Sequence, residues 1–363
     1  MTSSNDLSDL TPTRRRRKTV VERGIDAGPA LGAALPRLRE VAEAAGVSTA
    51  SVSRALNTPD SVSEALRFRV DEAAARLGYV ADGAGRTLAS RRSGLIGVLL
   101  ASLDEPDRSP LLAGLERRLR EAGYFLIICA ASPATAEIQG RAIIAKGVEG
   151  LVLAGLAPPP ELLDLAASRR IPCVVAAAAL TGKTLGVGLD LACAGETVAR
   201  YLFDLGHRRF ALLVPDVDAR APVGARTSAL RTALHALPAC TTLEWAVTGG
   251  DAYLSARAAT GVGLDGAVPT AIVCPDDRLA VGSLHACQAA GIHIPEDLSI
   301  VGFGDSAGAR QSRPRLTTLR DPLAEIGWAA ADNLLDHFAG AVGLRPTIGL
   351  KLIVRGTSGP APR

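Results

Sequence analysis

Between residues 38 and 79 the apolar positions recur with a helical period and fall into three sets. Val41, Ala42 and Ala45 share a face of Leu38–Ala45, and Val52 and Leu56 share a face of Thr49–Asn57. Leu66, Val70, Ala74 and Leu77 share a face of a longer run, about 63–77. Gly46 separates the first set from the second, and Thr58-Pro59-Asp60 separates the second from the third. This spacing predicts three packed helices, the first two forming a helix-turn-helix. Ser48 is placed to cap the second helix, its hydroxyl accepting an unpaired N–H of the first turn. Ser61, three residues before Glu64, has the spacing of a capping box for the third.

From Gly94 onward the pattern changes to short apolar runs alternating with amphipathic ones. Strands are expected at 95–100, 125–130, 150–154, 172–176, 210–214, 242–247, 270–274 and 298–303. Helices are expected between most of them, among them 111–122, 137–146, 193–205 and 278–290. Buried strands alternating with helices predict parallel, doubly wound sheets. The count of strands predicts two sheets in two similar lobes with a cleft between them.

Composition refines this picture. Apolar residues make up 48% of the 363 and aromatics only 3%, so the core must be aliphatic. A net charge of +3 is too small to argue a nucleic-acid partner; placement matters more. Met1–Arg92 holds fifteen Arg/Lys against eleven Asp/Glu, and no acidic residue lies between Ala44 and Pro59. The second helix thus exposes Thr49, Ala50, Ser51, Ser53, Arg54 and Asn57, a surface compatible with phosphate and base edges. The same pattern also fits a three-helix packing unit that binds protein or faces solvent. Residues 1–35 are polar and then Gly/Ala/Pro-rich, and read as a disordered tail. Its Arg14–Lys18 cluster is either a source of salt-sensitive phosphate contacts or a plain charged leader.

Six cysteines without CxxC or His-linked spacing point to free thiols, most of them buried, and to a reducing cytoplasm. Residues 1–20 lack the apolar core of a signal peptide, and no run of about eighteen apolar residues implies a membrane span. Five His residues show no HExxH spacing, and there is no P-loop, GxSxG or strand-linked GxGxxG. An enzyme is not expected, nor any cofactor or metal. A transport binding protein would share the two-lobed architecture but lack the helix-turn-helix.

The runs REVAEAAGVSTASVSRALN, VSEALRFRVDEAAARLGYV and GRTLAS resemble the headpiece of the lactose-repressor (LacI/GalR) family. Farther on, IGVLL, GVEGLVLAG, DLGHRRFALL, CPDDRLAVG, SIVGFGD, RLTTLRDPLAEIGWAA and LKLIVRG resemble that family's periplasmic-binding-protein-like domain. The resemblance covers about nine-tenths of the chain. It implies an all-α helix-turn-helix headpiece at 36–80 and a hinge at 81–92. A two-lobed α/β effector-binding and dimerisation domain with two doubly wound parallel sheets would follow at 93–363. It implies a cytoplasmic, homodimeric, ligand-responsive repressor that binds near-palindromic operator DNA.

Carried over by position, Thr49 and Ala50 would select the operator, Ala50 by apolar contact such as a thymine methyl, and Arg54 would bond guanine. Ser48, Ser53 and Asn57 would reach phosphate or neighbouring bases, and Tyr79 the DNA backbone. In the hinge Arg86 matches the family's Arg, and Leu88 the leucine that wedges into the minor groove. Three positions depart from the family pattern. Pro36-Arg37 stands where a Ser or Thr cap is usual, so the first helix can begin at Pro36. Asp82 replaces Asn, and Gly85 replaces Ala at a helical cost of about 0.8–1 kcal/mol. Asp190, Arg226 and Asp277 are implied effector ligands, with Asp305 and Asp276 secondary. The implied effector is a sugar, sugar acid or sugar phosphate, and CPDDRLAVG is similar to the gluconate-repressor branch. The rings that usually stack on sugars are scarce: Leu191 and Leu230 stand where polar and aromatic residues are common.

Overall fold

The computed structural model describes residues 36–80, 92–101, 108–177, 185–217, 221–264, 268–341 and 346–362. The expected tail at 1–35 and the hinge apart from Arg92, including Arg86 and Leu88, lie outside the described residues. The chain divides into two compact units, the first ending at Gly85 and the second beginning at Arg86.

In the first unit, α1 (Leu38–Ala45), α2 (Thr49–Asn57) and α3 (Glu64–Leu77) pack around one fully buried valine from each helix, Val41, Val52 and Val70. Ala55 and Ala73 join this core, although the periodicity alone did not single them out. Leu56, Leu66 and Leu77 are only partly buried at its rim. Helix α1 starts at Leu38, not Pro36, and its N-cap Arg37 makes no side-chain cap. Gly46, at φ 66°, ends α1 in the left-handed conformation that glycine adopts without strain. Ser48 caps α2 as expected, accepting from Ser51 N at 3.1 Å. The expected capping box at Ser61 does not form. Pro59–Ser61 closes a 3₁₀ turn in which the Ser61 hydroxyl donates to Thr58 O at 2.7 Å, and Ser63 caps α3 instead.

The second unit contains two six-stranded sheets of matching order. The first lobe has strands β1 (Leu95–Leu100), β2 (Phe125–Ala130), β3 (Gly150–Ala154), β4 (Cys173–Ala176), β5 (Leu185–Leu189) and β11 (Thr347–Ile348), in the order β11-β5-β4-β3-β1-β2. Its helices are α4 (Ser109–Glu121), α5 (Ala136–Ala145), α6 (Pro160–Ser168) and α12 (Leu323–Phe338). The second lobe has β6 (Arg209–Pro215), β7 (Thr241–Val247), β8 (Ala271–Val273), β9 (Ser299–Gly304), β10 (Thr317–Arg320) and β12 (Lys351–Ile353), in the order β12-β10-β9-β8-β6-β7. Its helices are α7 (Leu191–Asp204), α8 (Pro222–His235), α9 (Ala252–Leu264), α10 (Asp277–Ala289) and the short α11 (Ala307–Gln311).

Both sheets are covered on two faces, which is why their strands read as continuous apolar runs. Ile96, Val98 and Leu100 of β1 face the layer containing α4 and α12, while Leu99 faces α5 and α6. In β6, Phe210 and Leu212 face α7 and α8, while Ala211 and Leu213 face α9 and α10. All pairings are parallel except β10 with β12, which is antiparallel, so the second sheet departs from the wholly parallel expectation at its edge. The chain passes between lobes three times: at Asp190 after β5, at Asp321-Pro322 after β10, and between β11 and β12. Helices α4 and α12 meet backbone to backbone: a Cβ at Gly327 would lie 2.0 Å from Leu111 O, and one at Gly114 would lie 2.1 Å from Ala324 O.

Candidate nucleic-acid interface and interlobe cleft

The outer face of α2 is pre-formed. Ser48 holds the first turn through Ser51 N, and its hydroxyl also lies 2.9 Å from that of Ser51. Thr49, Ala50, Arg54 and Asn57 are exposed, and Ser51 and Ser53 half-exposed. Arg54 Nε donates to Ala50 O at 3.4 Å, which lays the exposed side chain along the helix. Asn57 Nδ2 donates to Ser53 Oγ at 3.3 Å. Tyr79, half-buried, packs against the headpiece core after Gly78 ends α3 at φ 63°. Seven of the nine DNA-contact candidates are thus on described segments, six of them on α2 or its cap.

In the second unit a cleft of about 320 Å³ opens between the lobes. Pro110 of α4 and Leu323, Ala324 and Glu325 of α12 form one wall. Gly304, Asp305, Arg310 and Arg320 of the second lobe form the other, and Asp321-Pro322 crosses between them. Asp305 is the electrostatic centre. Its carboxylate, 3% exposed, accepts from Arg355 Nη2 at 2.5 Å and Arg320 Nε at 2.7 Å, with Arg310 Nη1 at 3.7 Å. Arg310 also donates to the Asp305 carbonyl. Burial alone would push the Asp305 carboxyl up, but Arg355 and Arg320 outweigh it and hold it below the usual carboxylate range. Asp305 adopts φ 57°, the left-handed region, a local strain placed at the cleft wall.

Asp321 is 4% exposed and pairs at 2.5 Å with Arg226 Nη2, whose side chain is 12% exposed and lies over the Phe303 ring at 4.4 Å. The Nε of Arg226 is buried without a hydrogen-bond partner. Asp277 is buried with both oxygens engaged: Oδ1 accepts from Thr318 Oγ1 at 2.6 Å and Oδ2 from Ser306 N at 2.6 Å. Burial pushes its carboxyl up to about 6 despite those donors. Asp190 caps α7, accepting from Cys193 N at 3.1 Å. Of the five implied effector ligands only Asp305 lines the cleft; Arg226 touches it through Asp321, Asp276 caps α10, and Asp190, Asp276 and Asp277 are not brought to the lining. No aromatic ring lines it among the described residues.

Outside the cleft, His207 is buried between Thr270 Oγ1 at 3.1 Å and the carbonyl of Gly359 at 3.0 Å. Burial lowers its pKa, and its partners fit a fastener for the C-terminal segment. Trp328 lies on α12 with the guanidiniums of Arg117 and Arg118 at 5.0 and 5.6 Å from its ring. The cysteines are all free; Cys274 and Cys287 are buried, Cys129, Cys173 and Cys240 half-buried, and Cys193 is exposed. Among the described residues no His/Cys/Asp/Glu group could hold a metal ion, and no helix is long and apolar enough to cross a membrane.

The family model described as bacterial regulatory proteins of the lacI family matches residues 37–82, and that of a periplasmic binding protein-like domain matches residues 199–358. The chain is 30% identical over 335 residues to the HTH-type transcriptional repressor CytR of Escherichia coli K12, covering 90% of this chain and 97% of that protein. The chain belongs to the lacI family of bacterial regulatory proteins. The chain is also similar to the HTH-type transcriptional regulator GntR of Pseudomonas aeruginosa, 33% identical over 315 residues, with 84% of this chain and 90% of that protein covered. Among solved structures, the lac repressor dimer bound to operator and the anti-inducer ONPF superposes with a TM-score of 0.78 at 25% identity, covering 89% of this chain and 99% of that one. As a lacI-family protein the chain is a DNA-binding transcriptional regulator with a ligand-binding domain, and these relatives are regulators, not enzymes.

Arg310, Arg320 and Arg355 escaped the sequence reading. They are 5, 15 and 50 residues from Asp305: Arg310 returns to it locally from α11, whereas Arg320 and Arg355 reach it through the adjacency of β9, β10 and β12. Asp321 was within reach, since it follows β10 directly before Pro322 at a point where the chain changes lobes.

Proposed function

We propose that this regulator represses transcription by binding a near-palindromic operator as a homodimer, and that a small polar metabolite in the interlobe cleft modulates that binding. The observation that carries the reading is the α2 face: capped, free of carboxylates, and presenting Thr49, Ala50, Arg54 and Asn57 outward. Small side chains let α2 approach base edges, and Arg54 supplies the fork that reads guanine in a major groove. Ser53 and Asn57 bond phosphate or adjacent bases, Ser48 does so alongside its capping role, and Tyr79 supports the DNA backbone contact. Arg86 and Leu88 serve the minor groove between half-sites. Residues 1–35 serve as a tail, 36–80 as the reader, 81–92 as the hinge, and 93–363 as the effector and dimerisation domain.

For the dimer, we assign the exposed apolar edge of the first lobe, Phe125 and Ile128 of β2 together with Ile138 of α5. The effector class is a sugar, sugar acid or sugar phosphate. Asp305 acts at the cleft wall, while Asp190, Arg226 and Asp277 position the elements that frame it. Effector binding favours one lobe arrangement over another, and the difference is a coupling free energy between cleft and operator. The protein works in the cytoplasm and catalyses no reaction.

Selection of the full chain on random double-stranded DNA, with sequencing of the bound pool, tests this. A palindrome with a flexible central step is expected, and Arg54→Ala should relax one position in each half-site while weakening binding by about 1–3 kcal/mol. A bound pool without any sequence preference at low salt would refute the reading.

A further inference from the structure

We propose that the cleft selects a ligand carrying an anionic group, carboxylate or phosphate, and that Arg310 and Arg320 are the residues that read it. This rests on the effector-binding reading above and narrows it to a charge class.

The carboxylates of the site have other work. A sugar-binding cleft typically uses carboxylates to accept from hydroxyls, and Asp190, Asp277 and Asp305 look suited to that in the sequence. In the structure Asp277 is closed off by Thr318 Oγ1 and Ser306 N, and Asp190 is turned into a helix cap. Asp305 is surrounded by three guanidiniums, and Asp321 is paired with Arg226. Among the described lining residues, the groups that the second lobe leaves facing the cavity are therefore the cations Arg310 and Arg320.

Charge pairing makes the same point. The two buried carboxylates at the cleft, Asp305 and Asp321, each have a buried guanidinium, Arg355 at 14% exposure and Arg226 at 12%. Arg310 and Arg320 also touch Asp305, yet they remain 54% and 51% exposed and both line the cavity. One buried carboxylate thus orients three arginines, and the two outer ones are left in excess. A guanidinium held by one nitrogen still has N–H groups directed elsewhere, a geometry that fits a carboxylate or phosphate. Arg320 commits Nε to Asp305, and its terminal nitrogens stay available for a ligand.

The opposite wall is compatible with that charge. Leu323, Ala324 and Glu325, in the first turn of the sixteen-residue α12, line the cavity, and Pro322 provides no side-chain cap. Leu323 N is bonded to Asp321 O at 2.9 Å, and the N–H groups of the rest of that turn, at the positive end of the helix, add positive potential beside the arginines. Glu325, exposed at the same end, forms no ion pair among the described residues. It would repel an anion lying beside it and accept from hydroxyls, which fixes the ligand with its charge toward the second lobe. About 320 Å³ is at the small end of ligand pockets, which run from roughly 300 to 1,000 Å³, so the ligand is monosaccharide-sized. Among the described residues no lining ring offers the stacking that would favour a neutral sugar or a base.

The test uses the full-length protein at constant ionic strength, with D-glucose, D-gluconate, D-glucose 6-phosphate and inorganic phosphate as probes in calorimetric titration. At least one charged sugar should bind, glucose should not, and Arg310→Gln and Arg320→Gln should each weaken that binding about ten- to a hundredfold. Binding of gluconate alone identifies a carboxylate ligand; binding of the sugar phosphate and of inorganic phosphate identifies a phosphate. Arg310 is on the short exposed α11, so its variant should fold as wild type does; Arg320→Gln corroborates it. Glucose binding as tightly as its charged counterparts would overturn the inference, as would anion binding unaltered in Arg310→Gln, or no binding by any charged probe. In each of those cases a palindrome in the DNA selection would leave the regulator reading standing, and its absence would remove both.

Discussion

Asp321→Asn removes the charge from a buried pair while changing the side chain by a single atom. Asp321 and Arg226 are 4% and 12% exposed and 2.5 Å apart, so neither charge is screened by water to the extent of a surface pair. Breaking such a pair typically costs about 3–5 kcal/mol, because the remaining ion stays buried without its counter-charge. Arg226 retains the Phe303 face at 4.4 Å, which offsets part of the loss, so the lower end, about 3 kcal/mol, is expected. Urea unfolding read by tryptophan fluorescence isolates the effect, since Trp245 and Trp328 are the only tryptophans and both belong to the effector domain. With a denaturant slope of about 3 kcal/mol/M, the midpoint should fall by about 1 M. Replacing both partners together, Arg226→Met with Asp321→Leu, should recover most of that loss, because no charge is then stranded. A midpoint within about 0.2 M of wild type for the single variant would refute this account of the pair.

Three further outcomes are expected. Asp277 titrates near 6 in the folded protein against about 4 when unfolded, so folding favours its protonated form. Its contribution is full below about pH 4 and is lost as pH rises through 6, by about 2–3 kcal/mol. Asp277→Asn should therefore shift the difference between urea midpoints at pH 4.5 and pH 7 in favour of the higher pH, and an unchanged difference would contradict the burial argument. Gly327→Ala would place a methyl 2.0 Å from Leu111 O and force α4 and α12 apart; a loss of about 2 kcal/mol is expected in the same urea assay, and a neutral result would count against backbone contact. Ser48→Ala deletes the cap of α2 and should cost about 1 kcal/mol, seen as faster amide exchange over residues 49–57 with the effector domain unaffected.

Much of the architecture was legible because it rests on local pattern. The strands at 95–100, 125–130 and 150–154 coincide with those formed: β1 and β3 are apolar runs buried on two faces, and β2, at the exposed edge, is still a continuous apolar run bounded by polar or small residues. Strand β5, LGVGL, lacks that signature because two glycines interrupt it, and β10, TTLR, because its buried side chains are mostly threonine. Ser61 and Ser63 show the limit of cap reading. Both have plausible spacing, and the turn imposed by Pro59 decides between them. The exposed, carboxylate-free face of α2 was legible for the same local reason. The cleft was legible only in part, because its charges converge from β9, α11, β10 and the segment after β12. Sequence distance conceals such a meeting, and the sheet order that produces it is a tertiary fact.

The three passages between lobes bear on how the protein is made. The first lobe needs α12 and β11, encoded after nearly all of the second; the second needs β12 and the residues after it, where Thr357 bonds Ile300 and Gly359 receives His207. Neither lobe can close while the ribosome is still translating residues before about 320, whereas the three-helix reader has all of its core by Tyr79. On a polysome, then, the reader is complete for most of the synthesis time, tethered to a partner domain that is not. A stalled or truncated product would carry the complete three-helix core without either finished lobe, so the first unit can be present in a cell where the second is not.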